Sequence, residues 1–391
     1  MKIAQIAPLI ESVPPRGYGG TERVVSYLTE ELVALGHDVT LFASADSVTS
    51  AKLVSCAPKA LRSQPGVRDV IPYYMLMLDR VREQAGQFDI LHFHIDQFHF
   101  PLFRPMASRT VTTLHGRQDL PDLKPLYLGF SDMPLVSVSN AQRRPVASAN
   151  FVATVPHGLP LDLHRPIPHP RGGYLAFLGR ISPEKRVDRA IAIARALGMP
   201  LKIAAKVDLV DEAYFRERIV PLLGYPGIEF IGEIDDREKG TFLGEALALL
   251  FPIEWPEPFG LVMIEAMASG TPVLAFRHGS VPEIVEDGVT GMAVETVEEA
   301  VAALPRVVAL DRRAVRRRFE QRFSAARMAQ DYVGVYRKLL SQPDEVEPIS
   351  RHAPAATPPL APMMLPQTFP AEAGPAPFDR AGEGTGPGTL S

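Results

Sequence analysis

The segment from Glu254 to Pro272, EWPEPFGLVMIEAMASGTP, carries two glutamates whose surroundings differ. Pro256 and Pro258 hold Glu257 ahead of a helix predicted over 259–269, whereas Glu265 lies two turns inside it. Eight residues at about 1.5 Å rise set the two carboxylates at most ~12 Å apart. That is too far for an acid and a base sharing one bond. It suits the two ends of a sugar nucleotide, with one carboxylate accepting from sugar hydroxyls and the other holding a ribose. Between them, after Phe259, the leading amides of Gly260, Leu261 and Val262 form an anion site for phosphate.

A second group, Arg180 and Lys185 in FLGRISPEKR, lies between a predicted strand end and a helix start. A rigid guanidinium fork and a point charge at a strand's carboxyl end suit a diphosphate. The loop PPRGYGGTE opens the first helix, and Gly19 and Gly20 permit backbone to approach an anion there. It is no dinucleotide fingerprint, because Glu22 stands in the place of the third glycine. Histidines gather at His92, His94 and His99, with His115 after the next strand. His92 and His94 share a strand face near Asp96, which suits either a metal ion or the lining of a cleft.

The glutamate segment resembles the E-x7-E motif of family 4 glycosyltransferases, and FLGRISPEK is similar to that family's G-R-x-x-x-x-K signature. The resemblance covers nearly all of residues 1–340 and implies a GT-B fold, an α/β architecture of two Rossmann-like domains across a cleft. It implies a retaining transfer of a hexosyl group from a nucleotide diphosphate sugar. Glu257 would contact the transferred sugar, Glu265 the ribose, and Arg180 and Lys185 the leaving diphosphate. His115, in TLHG, resembles the cleft histidine near the reacting sugar, and the glycine loop resembles the one closing on the donor phosphates. The segments from His278 to Glu283 and Glu286 to Gly291 match the family more loosely, with Ser280 where a second glycine is common. The run from Ile6 to Ser44 is most similar to a bacterial and cyanobacterial subgroup that includes UDP-glucose:tetrahydrobiopterin glucosyltransferases, which implies UDP-glucose as donor. The acceptor, a small molecule or a glycan, is not implied. An epimerase or hydrolase of the same architecture, using His115 and Glu257, and a non-catalytic sugar-nucleotide binder remain as alternatives. No Asp-x-Asp triplet occurs to hold a divalent ion on a diphosphate. Neither metal nor cofactor is therefore expected.

These residues need elements to carry them, and short β-branched runs alternating with helical patterns predict parallel sheets covered by helices. Strands are expected at 2–7, 38–43, 89–94, 109–114 and 134–138, with a helix at 21–35, giving a first domain over 1–155. A Pro, His and Gly-rich linker follows at 156–172. The second domain, 173–340, has strands expected at 173–178, 201–205, 228–231, 246–251 and 272–276, a helix at 184–197, and one or two long helices at 311–340. The last of these is expected to cross back to the first domain. Six arginines between Arg312 and Arg322 suit an anionic membrane surface or a solvated face. The Pro, Ala and Gly-rich stretch 343–391 is expected to be disordered.

The 391 residues include 41 basic and 45 acidic side chains, net −4, so no global positive charge argues for nucleic acid. A lone cysteine, Cys56, excludes a disulfide framework. The opening MKIAQIAPLIE reads as a strand, not a signal peptide. Apolar runs such as 246–253 are too short to span a membrane, and a cytoplasmic location is expected.

Overall fold

The computed structural model describes residues 1–17 and 19–341, so the tail predicted to be disordered lies outside the described residues. Seven strands form the first sheet: β1 (Lys2–Ile6), β2 (Asp38–Ser44), β3 (Lys52–Ala57), β4 (Ile90–Phe93), β5 (Thr110–Thr113), β6 (Leu135–Ser137) and β7 (Phe151–Thr154). Six form the second: β8 (Leu175–Ile181), β9 (Leu201–Val207), β10 (Ile228–Gly232), β11 (Ala248–Phe251), β12 (Val273–Phe276) and β13 (Gly291–Val294). Pairing within both sheets is parallel. Their orders are 3-2-1-4-5-6-7 and 10-9-8-11-12-13. Each order reverses beside its first strand, at β1 and β4 and again at β8 and β11. A crevice opens at such a point beyond the carboxyl ends of the strands.

Alternation along the strands sends neighbouring residues to opposite faces of the first sheet. Ala4, Ile6, Leu91 and Phe93 pack with Met77, Leu78 and Val81 of the helix Ile71–Gln84. Ile3, Val39, Ile90 and Val111 pack on the other side with Val24, Leu28 and Leu32 of the helix Gly20–Ala34. The same face receives Met328, Tyr332, Tyr336 and Leu339 from the helix Ala325–Ser341. The chain's last described helix thus crosses back from the second sheet to the first.

Strands β3, β7 and β13 and the helix Ile71–Gln84 are absent from the sequence expectation. β3 and β7 are half-buried edge strands without clean alternation, and β13 has only four residues. The helix expected over 184–197 is interrupted: Pro183–Lys185 is a short 3₁₀ turn, Arg186 is left-handed at φ 52°, and the α-helix runs Val187–Ala196. Lys185 consequently sits on a turn. Gly260, left-handed at φ 80°, caps the helix Leu261–Ala268, so Glu265 lies little more than one turn inside it, not two.

The arginine series is a solvated face only in part. Arg312 donates to the carbonyls of Ile167, Ala246 and Gly244 at 2.7–2.8 Å, and Arg316 to those of His164, Ala268 and Leu161 at 2.6–3.0 Å. Arg327 donates to the carbonyls of Pro156 and His157. A linker without secondary structure has carbonyls that need donors, and these guanidiniums supply them. Arg313 and Arg317 face solvent.

Tyr332 is 1% exposed and its hydroxyl lies 2.8 Å from Thr113 Oγ1 in β5. Its replacement by alanine should remove about 3–5 kcal/mol of unfolding free energy. A urea titration of both proteins checks this, and a cost below ~1 kcal/mol would mean that the crossing helix contributes little to the first sheet's core.

Candidate active site

A cavity of about 420 Å³ lies between the two sheets, beyond the carboxyl ends of their strands. The residues assigned to the donor and the transfer line it: Gly19, Gly20 and His115 from the first half, and Arg180, Lys185, Glu257, Phe259, Gly260, Leu261, Val262 and Glu265 from the second, whereas His92, His94, Asp96 and His99 do not.

Lys185 reaches from the turn after β8 to Glu257, after β11, with Nζ 2.5 Å from Oε2. The Trp255 indole donates to the same oxygen at 3.0 Å, and the Lys185 ammonium lies 4.9 Å from the Trp255 ring centroid. Glu257 is held from behind as well. Ser280 N–H donates to its carbonyl at 3.0 Å, and Gly279 lies so close that a Cβ there would meet the Glu257 backbone at 2.4 Å. With φ at +55°, Gly279 meets both a conformational and a steric demand that a side chain would violate. The loosely matching segment after β12 therefore has a definite task, which is to fix Glu257.

Arg180, near the end of β8, donates to Glu184 at 2.7 Å and lies 3.6–3.7 Å from Asp211 and Asp208. Opposite, the first turn of the helix Leu261–Ala268 bonds from Met263 N–H back to the Gly260 carbonyl. The amides of residues 260–262 precede that bond and project from the helix start, where the helix dipole favours an anion. Glu265 is 5% exposed and has Lys239 Nζ at 3.7 Å. Lys239 also holds Asp236 at 3.0 Å, and Asp236 pairs with Arg23 of the first half, which donates to the Gly17 carbonyl at 2.8 Å. This chain of charges spans the cavity between the halves. On another side, Asn140 and Ala141 donate backbone N–H groups to Glu283 at 2.8 and 2.6 Å.

The histidines are interior groups. His94 Nδ1 is 2.9 Å from His115 Nε2, and His94 Nε2 is 2.8 Å from Gln5 Oε1. His92 binds Thr113 Oγ1 and the Tyr336 hydroxyl, each at 2.7 Å, and His99 binds Thr112 Oγ1 at 2.9 Å. With both ring nitrogens of His92 and His94 so engaged, the metal reading of His92, His94 and Asp96 is not supported. No three His, Cys, Asp or Glu side chains converge as a metal site among the described residues. Burial pushes the His115 imidazole down to about 3 and those of His92, His94, His99 and His157 well below their ordinary value.

Residues the sequence did not single out also line the cavity. His157, assigned to the linker, stacks on His115 at 5.2 Å and meets Phe259 edge-on at 4.8 Å. Arg23, Lys206, Glu233 and Lys239 join it from the first helix, the ends of β9 and β10 and the helix Asp236–Gly244. Lys206 follows the strand expected at 201–205 and Glu233 the one expected at 228–231, and those positions at strand ends are the signal that could have found them. Among the described residues, no helix is long and apolar enough to cross a membrane.

Comparison with known proteins gives this cavity a class. Residues 18–149 match the family described as Glycosyltransferase Family 4, and residues 165–323 match Glycosyl transferases group 1. The chain is 27% identical over 346 residues to the phosphatidyl-myo-inositol mannosyltransferase of Mycobacterium leprae (strain TN), covering 82% of this chain and 90% of that protein. AviGT4, a glycosyltransferase involved in Avilamycin A biosynthesis, is similar at TM-score 0.68 and 25% identity, over 87% of this chain and 98% of that one. Sucrose-phosphate synthase from Thermosynechococcus elongatus shares the fold at TM-score 0.71 and 18% identity, over 86% and 98%. The protein is a glycosyltransferase of GT-B fold. It belongs to family 4 of those enzymes.

The neutral histidines make stability depend on pH. Because their folded values lie below that of an unfolded histidine, about 6.5, their contribution is complete above that pH and is lost as pH falls. Each ring costs up to about 1.4 kcal/mol per pH unit below 6.5, so the buried histidines together should lower stability by several kcal/mol at pH 5.5, offset in part by the buried carboxyls of Glu22 and Asp96, whose values burial raises. Urea unfolding at pH 7.5 and 5.5 should show a loss of that order. A difference under ~2 kcal/mol would mean that the rings titrate within the folded protein.

Proposed function

We propose that this chain is a metal-independent retaining glycosyltransferase that moves a hexosyl group from a nucleotide diphosphate sugar to a small-molecule or glycan acceptor. The observation that carries the reading is the meeting of Lys185, Arg180 and the helix start at Gly260 in one cavity, with Glu257 and Glu265 on either side. The diphosphate lies against the two cations and the amides of residues 260–262. The sugar extends toward Glu257 and His115, and the ribose toward Glu265. As the glycosidic bond breaks, negative charge grows on the leaving phosphate, and fixed cations and amides stabilise that charge at little reorganisation cost. The acceptor hydroxyl attacks on the same face and gives its proton to the departing phosphate oxygen. Positioning and preorganised charge supply most of the rate.

His115 does not suit a base for opposite-face attack, since burial holds it neutral down to about pH 3 and leaves it a weak proton acceptor. UDP-glucose is the first donor to test, from the likeness of Ile6 to Ser44 to pterin glucosyltransferases, with a mannose-carrying nucleotide second. A cytoplasmic setting accords with the lone, partly buried Cys56.

Thermal stabilisation by a panel of nucleotide sugars identifies the donor, because a ligand at 100 times its dissociation constant adds about 2.7 kcal/mol. With an α-linked donor, proton NMR of fresh product should show an α linkage, with turnover undiminished in excess chelator. A β-linked product would refute retention, and loss of turnover under chelator would refute metal independence.

Variants divide the donor's ends. Arg180→Ala and Lys185→Ala should each lower turnover at least about 10²-fold, the range for losing one donor to a developing anion. Glu265→Gln should weaken binding of free nucleoside diphosphate, and Glu257→Gln should spare it while slowing transfer. Equal weakening by both, measured by titration calorimetry, would overturn the assignment of the two carboxylates.

A further inference from the structure

The polar groups beneath His115 form a directed chain, and its direction decides what His115 presents to the cavity. Gln5 lies in the interior strand β1, 0% exposed, on the face that receives the crossing helix. Its two ends have opposite fixed roles, because an amide oxygen only accepts and an amide NH₂ only donates. The oxygen faces His94 Nε2 at 2.8 Å. The NH₂ faces the Tyr336 hydroxyl at 3.2 Å and His92 Nδ1 at 3.3 Å.

His94 must therefore carry its proton on Nε2, to donate to Gln5. A neutral ring protonated there has a lone pair on Nδ1, so His115 Nε2, 2.9 Å away, must be the donor to it. The proton of His115 is then on Nε2, and its Nδ1 is a lone pair. That nitrogen is buried and has no hydrogen-bond partner in the protein, while the residue itself lines the cavity.

The other arm of the chain can be satisfied in the same sense. Tyr336 accepts from Gln5 and gives its own proton to His92 Nδ1 at 2.7 Å, and His92 Nε2–H donates to Thr113 Oγ1 at 2.7 Å. The last link joins Thr113 to Tyr332 at 2.8 Å. No group along either arm is left with two donors or two acceptors facing each other.

We propose that Gln5 and His94 are positioning residues which hold the His115 proton on Nε2, so that the buried, unpartnered His115 Nδ1 in the cavity wall is an acceptor for a hydroxyl of the bound sugar. The identity of that hydroxyl rests on the transferase reading, whereas the protonation pattern does not. A transferred sugar that lacks a hydroxyl at this point would leave the buried nitrogen unpaired, which disfavours it.

The test uses the full chain labelled with ¹⁵N-histidine, with multiple-bond proton–nitrogen correlation identifying the protonated nitrogen of each ring and His115→Gln assigning the signal. The chain has ten histidines, so the spectrum is tractable. In the unliganded wild type, His115 should be neutral with its proton on Nε2. Gln5→Met keeps the size of the side chain and removes both its polar ends; in that variant the His115 signal should become a mixture of the two tautomers. Turnover should fall about tenfold, the worth of one neutral hydrogen bond. A wild-type proton on Nδ1 overturns the proposal, as does a folded Gln5→Met variant with an unchanged His115 signal. If Gln5→Met does not fold, the wild-type spectrum alone decides. The expected tautomer in a protein that transfers no sugar would fault the functional reading and leave the protonation chain standing.

Discussion

The ion pair between Lys185 and Glu257 draws together the two strand ends that matter most, that of β8 and that of β11. Removing two such charges from water is costly, and a pair of this kind persists only where further hydrogen bonds hold it in place. The Trp255 indole, the loop at Gly279 and the left-handed turn at Arg186 provide that bracing. The arrangement sets the Lys185 ammonium, paired with Glu257, beside a helix start at the wall of the cavity. The proposed diphosphate would meet charges already in place there, which is the condition under which electrostatic stabilisation costs least.

Bringing the halves together requires the chain to leave the first sheet, build the second and return. The outward passage, residues 156–172, has no helix or strand to satisfy its carbonyls, and Arg312, Arg316 and Arg327 do so from the returning helices. The return ends with Tyr332 and Tyr336 against the first sheet, where their hydroxyls enter the histidine chain. The same helix that completes the core of the first domain thus contributes to the ordering of protons beneath the cavity. Backbone satisfaction and side-chain chemistry are linked at one interface.

The two parallel sheets were legible because buried strands and covering helices have different apolar periods, and the cavity residues because strand ends and helix starts are where such sheets bind ligands. Edge strands β3 and β7 were not, since half-exposed strands lack a clean alternation. The start of the helix at Leu261 was misplaced by the position of Gly260, whose left-handed conformation lets the helix begin two residues later than the apolar pattern suggests. The arginine series was read from charge alone, and charge does not reveal which carbonyls lack a donor.

What the sequence determined by itself is the set of groups and their order along the chain: two cations after one strand, two carboxylates about a helix start after another, and a histidine after a third. Local spacing is sufficient for these because each group is placed by the strand or helix next to it. Only the tertiary structure decided that Lys185 meets Glu257, that His157 stacks on His115, and that Gln5 faces His94. Those contacts join residues 42 to 89 positions apart, or lie on opposite sides of the cavity. They depend on the packing of whole sheets and on buried polar groups having to find partners, neither of which is encoded in any short stretch of residues.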